Sequence, residues 1–198
     1  MKVIKIFLTI AMSFLILGCS GKSDSNQKVD SKPEVPKSTV GWNSDGVITE
    51  GEYTTKQTIG EIEVLARVDG DFVMMALKAN TTAWISIGID PEDKMKGADI
   101  LMFSVKDGKT EFADMYSTGP FGPHPADEKQ GGISDVTMVS GTQQGGITIV
   151  EFKRKLNTGD SKDKPLKIGE NKVMWGIGDN TNFAAKHARR GYGTLILK

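Results

Sequence analysis

The sequence predicts an all-β domain, a sandwich of two packed sheets, and three observations predict it. From Gly41 onward, short apolar-rich runs follow one another with turn residues between them. The breaks are rich in glycine, of which the chain has 23. No stretch long enough for a helix carries a 3.6-residue apolar period, the mark of an amphipathic helix. Many short strands at this spacing favour an immunoglobulin-like sandwich of about ten strands over a barrel.

The elements follow in order. Glu61–Val68 alternates, with Ile62, Val64 and Ala66 on one face. Asp69-Gly70-Asp71 then supplies the turn chemistry of a hairpin, and Asp71–Ala79 returns. Ala83–Ile89 and Ala98–Val105 are the next strands. Lys106-Asp107-Gly108-Lys109 turns into Thr110–Met115. Ile133–Ser140, Ile147–Lys153, Lys172–Ile177 and Thr194–Leu197 complete the set. Three connections are longer than a sandwich needs: Asp90–Gly97, Ser117–Gly132 and Asp179–Gly191. Long loops on a rigid β scaffold are where function concentrates.

Composition removes several function classes. Of 198 residues, 25 are basic and 25 acidic, so no net field draws nucleic acid. One Cys and two His exclude a disulfide framework, a CxxC zinc or CxxCH haem motif, and a His-rich metal centre. No nucleophile elbow or phosphate-binding glycine loop is present, so the reading is a binding or electron-transfer module and not an enzyme. Asp160-Ser161-Lys162-Asp163-Lys164 lacks the glycine and closing Glu of a calcium loop, because Pro165 stands at the glycine position, and reads as a solvated turn.

The N-terminal stretch reads as an export signal. Lys2 and Lys5 precede an apolar run from Ile6 to Leu17, twelve residues long. As helix it would reach about 18 Å, against a hydrocarbon core of roughly 30 Å. Ile16-Leu17-Gly18-Cys19 resembles a bacterial lipobox. That resemblance implies a lipoprotein signal peptide over residues 1–18 and lipidation of Cys19 by palmitate-type acyl chains. The protein would then sit in the cell envelope, lipid-anchored and facing the periplasm or exterior, at the outer membrane where one exists because Ser20 follows the Cys. Removing residues 1–18 leaves 23 basic and 25 acidic groups, a formal charge of −2. Residues 19–39 form a polar tether, with Val29 and Val35 its only aliphatics after Cys19, too few to offset the entropy of ordering. Residues 40–198 form the folded domain.

Two loops hold the residues best suited to chemistry. Met95 is a thioether in the charged segment Asp90–Asp99, and His187 lies in Phe183–Gly191. Each alone is an ordinary loop residue, but a thioether with an imidazole is the axial set of low-spin electron-transfer haems. Copper would want further ligands. The third loop, Thr118–Asp127, has three prolines and two glycines around His124, a second-choice ligand.

Trp84-Ile85-Ser86-Ile87-Gly88-Ile89, Lys94-Met95-Lys96-Gly97-Ala98-Asp99-Ile100, Asp114-Met115-Tyr116-Ser117-Thr118-Gly119 and His187-Ala188-Arg189-Arg190-Gly191 follow Asp45-Gly46-Val47-Ile48 in order. This succession resembles the DOMON domain family over about residues 41–198. The family's immunoglobulin-like sandwiches bind haem or sugars. Its cytochrome branch implies a b-type haem in a pocket at one end of the sandwich, with Met95 and His187 as iron ligands. Trp84, Phe103 and Phe183 would be wall residues, and Arg189, Arg190 or Lys186 would pair with the propionates. Such a domain relays single electrons to a redox partner protein. The same patterns occur in DOMON domains attached to copper monooxygenases. There they admit a structural reading: Gly97 for a tight backbone, Asp99 for a loop hydrogen bond, Arg190 for a buried ion pair. A haem-free module for a sugar or small ligand, and an assembly lipoprotein, are the alternatives.

Overall fold

The computed structural model describes residues 40–198. The signal peptide, Cys19 and the tether lie outside the described residues. Ten strands form two five-stranded antiparallel sheets. They are β1 (Thr55–Ile59), β2 (Ile62–Asp69), β3 (Phe72–Ala79), β4 (Ile85–Ile89), β5 (Asp99–Lys106), β6 (Lys109–Tyr116), β7 (Thr137–Gln144), β8 (Ile147–Lys155), β9 (Gly169–Gly178) and β10 (His187–Leu197). The first sheet has the order β1-β2-β3-β8-β7 and the second β10-β9-β4-β5-β6. A 3-10 turn at Asp127–Gln130 is the only helical element among the described residues.

Side-chain alternation dictates what lies between the sheets. Val64, Val73, Met75 and Phe152 from the first sheet meet Ile85, Ile87, Leu101 and Phe103 from the second. Phe103 and Phe152 stack with centroids 4.7 Å apart. Each fully buried side chain of this size contributes about 1.5–3 kcal/mol. Phe103, expected as a wall of the haem pocket, is therefore a core residue: it shares its face with Leu101 and Val105, both turned inward.

Three strands differ from the sequence expectation. β1 has a single aliphatic, Ile59, so no alternation announces it. β7 begins at Thr137, not Ile133, and Ile133 is exposed. It is an edge strand of exposed and half-exposed, mainly polar residues, with a register shift between Thr137 and Ser140. β10 begins at His187 and not Thr194, which moves His187 from a loop to a strand. Its Arg-Arg-Gly-Tyr-Gly segment is polar because β10 is also an edge, yet it pairs with β9 throughout.

Residues 40–54 pack onto the first sheet through a buried carboxylate. Glu151 on β8 accepts hydrogen bonds from the backbone N–H of Asp45 (3.0 Å) and Gly46 (2.7 Å) and from the Tyr53 hydroxyl (2.6 Å). Gly46 has φ +78°, and a Cβ there would lie 2.7 Å from Thr142 Cγ2, so only glycine lets this segment lie so close to β7.

Three residues further along β8, Arg154 reaches from the first sheet to the second. The side chain is 1% exposed and donates to Asp99 Oδ2 on β5 at 2.8 Å and to Asp163 Oδ2 at 3.3 Å. Asp163, expected in a solvated turn, has a side chain only 2% exposed. The buried ion pair of Asp99 is thus made by Arg154, and Arg190 is exposed.

Candidate functional site

The outer face of the second sheet, not the end of the sandwich, gathers the residues singled out in the sequence. Directly opposed residues of an antiparallel pair lie on the same face, so the register reads out two rows. One row is Arg190, Gly176, Ser86, Met102 and Ala113. The other is Tyr192, Met174, Gly88, Ile100 and Met115. His187 opposes Gly178 beyond the first row. The glycines of β4 and β9 make this face low, and larger side chains lie across them. A Cβ on Gly178 would fall 2.3 Å from Trp84 Nε1, and one on Gly88 would fall 2.5 Å from Met174 Cε.

The resulting platform is apolar and rich in sulfur. Trp84, Ala98, Ile100, Met102, Met115 and Met174 form a buried cluster distinct from the main core. Met95, Ala113 and Phe183 pack half-buried against it. The loop after β4 delivers Met95: the Met95 N–H donates to the Pro120 carbonyl (3.4 Å) and its own carbonyl accepts from Ala98 N–H (3.0 Å). Gly97, at φ +74°, allows that bend, as the structural reading of the motif expects. Phe183 comes from the loop before β10, held by turns in which Asn182 Oδ1 accepts from Ala184 N–H (2.9 Å).

Both imidazoles border this face. His124 Nδ1 lies 3.3 Å from Met115 Sδ. A Cβ on Gly122 would be 3.9 Å from His124 Cδ2 and 4.0 Å from Met95 Cε, so thioether and imidazole flank one point. Burial holds His124 below its ordinary pKa, against its own backbone hydrogen bond and with a smaller contribution from His187. His187 Nε2 lies 3.1 Å from Arg190 Nη1. Among the described residues no hydrogen bond joins Met95 to His187. The loop carrying Met95 leaves the sheet after Ile89, and His187 stands beyond the Ile85 end of β4. Arg189 projects elsewhere and pairs with Glu61 at the β1–β2 turn, and Lys186 is exposed.

The glycine column gives a direct test of the platform. Gly178→Ala must displace the Trp84 indole. Overpacking of this kind costs about 1–3 kcal/mol, read as a lower urea midpoint, with tryptophan emission shifted to longer wavelength.

A DOMON domain model matches residues 58–178. The chain belongs to the DOMON domain family. This DOMON domain is 27% identical over 108 residues to MOXD1 homolog 1 of Drosophila melanogaster, covering 54% of the chain and 16% of that relative. It is 29% identical over 106 residues to DBH-like monooxygenase protein 1 of Mus musculus, again covering 54% and 16%. The match thus spans a small part of these relatives' length. In fold, the DOMON domain is similar to the cytochrome b domain of pyranose dehydrogenase from Coprinopsis cinerea, with TM-score 0.50, 13% identity, and coverage of 68% of this chain and 75% of that one. It is likewise similar to the cytochrome domain of Myriococcum thermophilum cellobiose dehydrogenase, with TM-score 0.50, 10% identity, and coverage of 69% and 75%. At these identities the likeness is one of fold, and it agrees with the ten-strand sandwich.

Sequence reasoning missed the acidic residues grouped around Arg154. Asp99, Asp114 and Asp163 bring carboxylate oxygens within 4.8 Å of one another. They are far apart in the chain, and no local spacing signals them.

Proposed function

We propose that this chain is an exported DOMON domain, lipid-anchored to the cell envelope through Cys19, that binds haem b on the outer face of its second sheet. Met95 and His187 are the axial ligands in this reading, and a redox partner protein exchanges electrons with the domain. The observation that supports it is an apolar face bordered by one thioether, Met95, and by the imidazoles of His124 and His187. Two features fit a flat amphiphilic group with carboxylate arms. Gly88, Gly176 and Gly178 let Met174 and the Trp84 indole lie close over the sheet, an apolar surface against which a planar ring can pack. Trp84 Nε1 is buried there without a hydrogen-bond partner, a donor suited to a carboxylate. Haem with both axial positions filled by protein relays single electrons.

The chain's own residues have distinct tasks. Strand β10 fixes His187 by its pairing with β9, while Met95 sits on a loop that must adjust. Arg190, beside His187 Nε2, supplies positive charge at the platform edge. Met174, Met102 and Ile100 exclude water from the ring face. The cytochrome identity of the two structural neighbours supports the reading, as does the order of motifs in the sequence. The anchor rests on the Leu17-Gly18-Cys19 pattern following the apolar run.

Hemin titration of the full chain, purified in mild detergent, tests the proposal. Tryptophan emission is expected to quench to saturation at one equivalent. Emission that falls without saturation, as free hemin absorbs light, contradicts it.

A haem-free reading as a small-ligand module has its own observation. A groove of about 460 Å³ on the outer face of the first sheet is lined by Trp42, Arg67, Asp69, Phe72 and Lys153 among others. Aromatic faces beside charged groups suit a saccharide. A glycan that raises the unfolding temperature of the chain without hemin would favour this second reading.

A further inference from the structure

At the end of the sandwich beside the platform, carboxylates converge around one guanidinium. Asp99 opens β5, Asp114 is on β6, Asp127 starts the 3-10 turn and Asp163 lies in the segment between β8 and β9. Asp99, Asp114 and Asp127 are 0%, 3% and 0% exposed, and the Asp163 side chain is 2% exposed. The hydrogen bonds leave a pattern. Asp99 Oδ2 accepts from Arg154 Nη1 (2.8 Å) and Lys164 N–H (3.0 Å), Asp163 Oδ2 from Arg154 Nη2 (3.3 Å), and Asp114 Oδ2 from Asp135 N–H (3.0 Å). The second oxygen of each is buried without a partner, and Asp127 has neither oxygen partnered. Burial, and then the like charge of Asp163 and Asp99, hold the Asp127 carboxyl above its ordinary range.

We propose that Asp99, Asp114, Asp127 and Asp163 form a binding site for a hard divalent cation, Ca²⁺ by preference. Carboxylate oxygens of Asp99, Asp114 and Asp163 all lie within 4.8 Å of one another. Ligands on opposite sides of one calcium stand about 4.6–5.2 Å apart, since each Ca–O bond is about 2.3–2.6 Å. All three therefore fit one coordination sphere. The donors are oxygens alone, with no thiolate or imidazole, which selects a hard ion. A cage of buried protein carboxylates suits calcium better than magnesium, which keeps several of its waters. Asp99, Asp114 and Asp163 face one guanidinium, leaving an excess of negative charge that a dication reduces.

Burial and then like charge push Asp114 up to about 8 and Asp127 up to about 7, and Asp99 and Asp135 rise for the same first cause. Arg154 opposes the shifts of Asp99 and Asp135, and Lys155 that of Asp135, while Asp160 and Asp163 add to that of Asp127. Protons and a cation thus compete for the same oxygens. The site also borders the platform. Asp99 follows Ala98, Asp114 adjoins Met115, and Asp127 stands in the turn after the His124 loop. A bound cation ties together the segments that carry Met95 and His124.

The test is equilibrium dialysis of the full chain, in mild detergent and stripped with EGTA, against radiolabelled CaCl₂ at pH 7.5. The expected result is one Ca²⁺ per chain with a higher unfolding temperature, and competition by Mg²⁺ only at 100-fold excess or more. Asp114→Asn and Asp127→Asn are each expected to weaken binding at least tenfold. In EGTA the same substitutions leave the unfolding temperature equal to or above wild type, because each replaces a buried carboxyl crowded by like charge with a neutral amide. No saturable binding by the wild-type chain at millimolar CaCl₂ overturns the proposal. So does unchanged affinity in both variants.

Discussion

Replacing Arg154 with alanine is expected to destabilise the domain by about 3–5 kcal/mol in chelator, the range for breaking a buried ion pair by removing one partner. The guanidinium is the only buried basic side chain among the described residues. It spans the two sheets, bonding Asp99 at 2.8 Å and Asp163 at 3.3 Å, and its Nη2 also donates to the Lys164 carbonyl at 3.3 Å. Alanine leaves two buried carboxylates with no cation and a carbonyl with no donor. For a domain of this size each kcal/mol moves the unfolding temperature by roughly 2–4 °C, so a drop on the order of 10 °C is expected. Arg154→Lys keeps the charge but loses the fork that serves both carboxylates, and falls between the two. Urea unfolding of the three proteins measures this, and a loss below about 1 kcal/mol for the alanine variant contradicts it.

His187→Ala and Met95→Ala are expected to abolish the six-coordinate haem spectrum, and His124→Ala to preserve it. The reason lies in where each side chain is held. β9 pairing fixes the His187 backbone opposite Gly178 at the platform edge. His124 is engaged with Met115 sulfur, buried enough for its pKa to fall, and carried on a loop. With His187 removed, hemin affinity is expected to fall at least tenfold; with Met95 removed, the retained imidazole gives a five-coordinate, high-spin spectrum. Absorption titrations of the three variants decide the assignment. Loss of the spectrum on His124→Ala alone would move the ligand to the other imidazole.

Much of the sandwich was legible because its hairpins carry local signals. Asp69-Gly70 and Asp107-Gly108 mark the turns between β2 and β3 and between β5 and β6, and β2 alternates in plain view. β5 is different. Every residue from Asp99 to Val105 is buried, so its two faces cannot be told apart by polarity. That is why Phe103, facing the core, and Met102, facing the platform, looked alike until pairing with β4 separated them. β1, β7 and β10 lie at sheet edges, where polar residues replace the apolar pattern. For the site, Met95, Trp84 and Phe183 meet in one apolar cluster on the outer face of the second sheet. The platform's floor was hidden, because only the register of β4, β9 and β10 sets Gly88, Gly176 and Gly178 on one face. The acidic cluster was hidden for another reason: its members come from β5, β6, the 3-10 turn and the segment between β8 and β9, and only the folded chain assembles them around Arg154 of β8.

An absorption spectrum of the full chain, expressed with export and haem supply and purified in mild detergent, tests the central claim before and after dithionite. The account predicts a sharp Soret band that shifts on reduction, with resolved α and β bands. A colourless protein that gains no such bands when hemin is added would contradict it.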